Sequence, residues 1–96
     1  MTKYFTIATS GMTQAQEATL AAAWNGFGWW HGISGFWLFR DHTDTYTAKI
    51  IRDKITTIAP QAQVFVIQAQ PSDWGGSSMT ESNRSWLTKY WPPEGQ

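Results

Sequence analysis

Phe36-Trp37-Leu38-Phe39 places four large apolar side chains in a row. In a β-strand successive side chains point to opposite faces. Phe36 and Leu38 would then line one face, with Trp37 and Phe39 on the other. The same doubling recurs where Val64 and Val66 oppose Phe65 and Ile67, and again at Trp29-Trp30. A sheet with one face in water alternates apolar with polar residues. These strands do not, so they require a sheet that is covered on both faces.

The other segments are shorter signals. Lys3 to Thr9 alternates, with Phe5 and Ile7 on one face and Tyr4, Thr6 and Ala8 on the other, and stops at Ser10-Gly11. Thr13 to Trp24 is Ala-rich, and Thr13 stands three residues before Gln16, the spacing of a helix capping box. Leu20, Ala21 and Trp24 form its apolar stripe, and Asn25-Gly26 ends it. Ser34-Gly35 predicts a hairpin turn between Trp29–Ile33 and Phe36–Arg40. Ala48, Ile51, Ile55 and Ile58 recur at intervals of three and four, which predicts a helix from Thr47 to Ile58 ended by Ala59-Pro60. A fourth strand spans Gln63 to Gln70. A last short helix spans Thr80 to Trp91, with Trp86, Leu87, Tyr90 and Trp91 at compatible spacing.

The order is β-α-β-β-α-β plus a C-terminal helix. It predicts an α+β fold of the ferredoxin-like, split βαβ type: a four-stranded antiparallel sheet, its first and third strands central, and two helices on one face. One domain over residues 1–91 is expected, with a disordered tail over 92–96. Two helices leave the second apolar face bare. Either the C-terminal segment with Trp74, Trp86 and Trp91 folds back over it, or a second copy packs there. The expectation is a homodimer, the commonest closed assembly.

Composition narrows the function classes. The 96 residues carry 7 Lys and Arg against 7 Asp and Glu, for a net charge of zero. Only 15% of residues are charged, against roughly 25% in an average domain, while Trp reaches 7. A balanced chain lacks the clustered cations that grip nucleic acid independently of sequence. With no Cys, disulfides, thiolate catalysis and Cys-based zinc sites are excluded. No apolar run is long enough to span a bilayer, and no apolar leader precedes the first strand, so a cytoplasmic, non-membrane protein is expected.

The stretches Gly28-Trp29-Trp30-His31, Ser34-Gly35-Phe36-Trp37-Leu38, Ile51-Arg52-Asp53-Lys54-Ile55, Asp73-Trp74 and Ser85-Trp86-Leu87 resemble the SinR-like and VapD-like small ferredoxin-fold proteins. These are related to the small CRISPR spacer-acquisition subunit. The resemblance spans roughly Lys3 to Trp91 and implies a dimer. In some members it implies metal-dependent cleavage of RNA or DNA, with an Asp at the end of the first strand. The corresponding Ala8-Thr9-Ser10-Gly11 holds no carboxylate.

Arg40-Asp41-His42-Thr43-Asp44 is the richest chemical cluster. Asp41 and Asp44 are candidate ligands for Mg or Mn, and His42 a candidate base, in a ribonuclease or nuclease reading. Against this stands a solvated loop in which Thr43, Asp44 or Thr45 helps cap the next helix. His31 reads as a hydrogen-bonded sheet histidine, and Ser10-Gly11 as a plain strand-to-helix turn rather than a phosphate cradle. Lys49, Arg52 and Lys54 are the candidate contacts for nucleic acid or an acidic partner, interrupted by Asp53. Trp29, Trp30, Trp37, Phe39, Trp74, Trp86 and Trp91 are expected at a protein interface, since Trp is a common interface anchor. The leading expectation is a non-catalytic interaction protein, needing no cofactor, that engages its twin or another protein through Trp-rich surfaces. Nuclease activity and non-catalytic nucleic-acid binding are the alternatives.

Overall fold

The structure is a computed structural model that describes residues 2–71 and 74–91. Its elements are β1 (Lys3–Ser10), α1 (Gln14–Ala23), β2 (Gly28–Ile33), β3 (Phe36–Asp41), α2 (Ala48–Ile58), β4 (Gln63–Ala69) and α3 (Glu81–Tyr90). The expected elements all appear, with ends shifted by a residue or so, as capping geometry and fraying dictate. The expected tail over 92–96 and Asp73 lie outside the described residues.

Local chemistry starts each helix. Thr13 accepts from the Gln16 backbone N–H while the Gln16 side chain accepts from the Thr13 N–H, a complete capping box. Thr47 caps α2 by accepting from Ile50, and Thr80 caps α3 by accepting from Asn83. The cap of α2 therefore corrects the expectation that Thr43, Asp44 or Thr45 would serve. Those residues belong to a turn that ends before the helix begins.

The four strands form one antiparallel sheet in the order β2-β3-β1-β4, so β1 and β3 are central. The β2–β3 hairpin turns at Ser34-Gly35, where Gly35 takes a φ of 76° that favours glycine. Its carbonyl receives the Thr9 N–H at 2.8 Å, tying the turn to the end of β1.

Two clusters hold the sheet from opposite sides. On the first face, α1 brings Leu20 and Trp24 and α2 brings Ile51 and Ile55 onto Phe5, Ile7, Trp37 and Phe39. All eight are buried, and Trp24 meets Phe39 at 4.4 Å between ring centroids. On the second face, Leu87 and Trp91 pack against Trp30 and Leu38, with Tyr4, Trp74 and Trp86 at the margin. Tyr4 and Trp91 meet edge to face at 5.1 Å, and the Arg40 guanidinium lies 5.7 Å from the Tyr90 ring centre. Of the two covers left open by the sequence, the structure shows the C-terminal helix folded back on its own sheet.

That cover is partial. Strand register aligns Trp30, Leu38, Thr6 and Ile67 in one row of the second face, and Phe36, Ala8 and Phe65 in the next. The cluster under α3 draws on β2, β3 and one end of β1 and β4. Beyond it, Phe65 remains 63% exposed and Ile67 48%, with Ala8 also exposed. Val64 and Val66, on the other face of β4, pack beneath the helices.

Candidate functional site

Asp41 ends β3 opposite Lys3 of β1 and is fully buried. Its Oδ1 accepts from the Thr43 N–H at 2.9 Å and the Thr43 hydroxyl at 2.6 Å. Its Oδ2 accepts from the N–H groups of Thr45 and Tyr46 at 2.8 and 2.7 Å. Burial pushes the carboxyl up, but the hydrogen bonds from the Thr43 side chain and the Tyr46, Thr43 and Thr45 backbones together outweigh it and hold it below the usual value. Both oxygens are thus committed to folding the loop that leads into α2.

Asp44 turns elsewhere. It adopts a φ of 57°, which Asp tolerates better than most residues, and pairs with the Lys3 ammonium at 3.0 Å. The hydrogen bond and charge of Lys3 lower its carboxyl below the usual value. Lys3 also donates to the Tyr46 carbonyl at 2.9 Å, closing the same loop. His42 is exposed and sets its ring 5.5 Å from that of Phe27. Asp41, His42 and Asp44 therefore face three different sets of partners. No group of three or more His, Cys, Asp or Glu residues is placed to hold a metal ion among the described residues.

The basic residues of α2 also diverge. Lys49 and Arg52 border a shallow hollow beside Val64, Phe65 and Val66, whereas Lys54 borders another with Asp53, Thr19 and Ala23. The Arg52 guanidinium is bound to Asp53 at 2.7 Å. Ser10-Gly11 is an ordinary connection, with the Gly11 carbonyl accepting from the Gln61 side chain at 3.0 Å.

His31 sits in a β-bulge. Trp30 pairs with Leu38 and Ile33 with Phe36, so His31 and Gly32 together oppose Trp37. The imidazole stacks on the Trp37 ring at 3.8 Å and nearly parallel. Its Nδ1 is 2.9 Å from the Phe36 carbonyl, which can only accept, so Nδ1 carries a proton. Its Nε2 lies 3.3 Å from the Glu17 carboxylate, linking β2 to α1. His31 is thus the hydrogen-bonded sheet histidine that the sequence suggested. A Cβ at Gly32 would collide with the Trp30 ring and Asn83, so the absent side chain lets α3 settle over the bulge.

The aromatic residues expected at an interface are used inside the chain. Trp37 and Phe39 lie in the first cluster and Trp30 and Trp91 in the second, all buried. Trp29, Trp74 and Trp86 are half-buried at the margins of those clusters. Their indoles and rings pack against this chain's own helices and strands.

Among the described residues, the exposed large apolar side chains are Ile33 at the end of β2, Ile50 on α2, and Phe65 and Ile67 together on one face of β4. This last strand is an edge, paired with β1 in unbroken register from Tyr4↔Ala69 to Ser10↔Gln63. It carries Phe65 and Ile67 into solvent, and no charged residue occurs from 55 to 72. The sequence set Phe65 and Ile67 on one apolar face of this strand but did not mark them as the residues left uncovered. The uncharged run was the available signal, but it gains meaning only once β4 is known to be an edge. No helix among the described residues is long and apolar enough to cross a membrane. Comparison of the chain with protein-family models, with curated proteins and with solved structures gives no match.

Proposed function

We propose that the protein is a non-catalytic interaction module that works as a homodimer through the outer edge of β4. The strand order is read as ferredoxin-like, with β4 as the self-pairing edge. The observation that carries this reading is an uncharged, regular edge strand with two large apolar side chains exposed beside it. An edge offers a row of unpaired N–H and C=O groups, and proteins ordinarily blunt it with charge, Pro, a bulge or a cover. Within β4 there is no charge and no Pro.

The edge is also self-complementary. A twofold axis through Val66 would set two copies of that residue opposite each other in an antiparallel pair. Phe65 of each copy would then lie beside Ile67 of the other, on the same sheet face. The exposed strip would become the centre of an eight-stranded sheet. The resemblance to SinR-like and VapD-like proteins, which implies a dimer, supports the same reading. It calls on neither a cofactor nor the Asp41 loop.

Light scattering at micromolar concentration tests it. The wild type should have the mass of two 10.9 kDa chains, and Phe65→Lys with Ile67→Lys that of one, both with the same circular dichroism. A wild type that stays monomeric removes the reading, as does a double variant that remains dimeric.

A further inference from the structure

Between the second sheet face and α3 lies an open-mouthed cavity of about 370 Å³. Thr6, Phe36 and Leu38 line it from the sheet, Leu87 from α3, and Trp74 and Met79 from the 74–79 segment that straps across. Among the described residues no charged side chain borders it, and Thr6 and Ser77 supply the only hydroxyls. Trp30 and Trp74 give two of its walls, with their indole N–H groups buried rather than presented to the cavity.

These features select an occupant. Water is poorly held where it cannot make two or more hydrogen bonds, and an apolar cavity of about 150 Å³ accepts benzene. A space between two and three times larger suits a molecule of two or three fused rings. A charged ligand would lose its hydration without gaining a partner. Flat aromatic walls favour rings that stack or meet edge to face. We infer that this cavity binds an uncharged two- or three-ring aromatic molecule. This site is separate from the β4 edge, and its occupancy does not depend on the dimer.

2-Naphthol is a suitable probe. Titration followed by heteronuclear NMR should show saturable binding, with shifts at the indole N–H of Trp30 or Trp74. Intermolecular NOEs should reach the methyl groups of Leu38, Leu87 and Met79. Thr6→Phe fills the cavity from the sheet side and should weaken binding by about tenfold or more, equivalent to about 1.4 kcal/mol. Ile50→Lys, exposed on α2 over the other sheet face, should leave the affinity unchanged. The NOEs are measured on the wild type, so they decide the matter even if Thr6→Phe does not fold. Absence of saturable binding overturns the proposal. So do NOEs to Phe65 and Ile67 in place of the cavity methyls, or a folded Thr6→Phe variant with wild-type affinity.

Discussion

At one edge of the sheet, β2 breaks its register at His31 and Gly32 and lies under α3, whose Trp86 and Asn83 approach Gly28 and Gly32. At the other, β4 keeps an unbroken register and leaves Phe65 and Ile67 in water. Both strands are rich in apolar side chains; β2 packs Trp29 and Trp30 within the chain and leaves Ile33 at its end exposed. A bulge removes the regular ladder that a second strand would need, and a helix buries the side chains that would reward pairing. The contrast teaches that tryptophan content and docking potential are separate properties here. Most of the Trp rings are packed within the chain, and the exposed strip on β4 holds none.

Substitutions on the two sides should therefore differ most in what they damage. Trp30→Ala removes a side chain only 5% exposed from the second cluster, and should cost about 3–5 kcal/mol in urea unfolding. Phe65→Ala should change the stability of the dilute monomer by no more than about 0.5 kcal/mol, the range for surface positions. It should instead weaken self-association. Equal losses of stability at both positions would break the comparison, because they would mean that β4 is as fully packed as β2.

A smaller effect is expected at Asp41, which fixes the end of β3. Asp41→Asn places an amide against one of its N–H donors and should cost about 1–3 kcal/mol. The wild-type contribution also has a defined pH sense. The folded carboxyl is held below its ordinary value near 3.8. Its stabilisation is therefore complete above the unfolded value and is lost as pH falls through the folded one. Urea midpoints should drop below about pH 4 in the wild type, with that contribution missing from Asp41→Asn. A variant with unchanged acid sensitivity would show that other carboxylates dominate.

A loss at the lower end of that range belongs to the start of α2, the helix that lies over β4. Thr47→Ala removes the cap on Ile50 and should lower stability by about 1 kcal/mol, without altering the mass in solution. A change in mass would tie the cap to the β4 edge and sharpen the comparison in a new direction.

Much of the fold was legible because it rests on local signals. The Thr13–Gln16 spacing gave the start of α1, and the parity of Phe5 and Ile7 against Tyr4 and Thr6 assigned the faces of β1. The need for a second cover was also readable from Phe36-Trp37-Leu38-Phe39. Its source was not, since the spacing of Leu87 and Trp91 gives an apolar helix stripe but not the sheet it meets. The candidate site was less legible. Asp41, His42 and Asp44 are neighbours in sequence, but strand pairing sets Asp41 opposite Lys3, and its carboxylate is consumed by the turn that follows. The exposure of Phe65 depends on where α3 stops covering the sheet, a tertiary fact with no periodicity of its own.

Amide hydrogen exchange of β4 across a range of protein concentrations tests the pairing of β4 edges most directly. The N–H groups of Gln63–Ala69 that face away from β1 should exchange more slowly as concentration rises through the micromolar range, while those on the outer side of β2 stay unchanged. Fast exchange of the outward β4 amides at every concentration would contradict it.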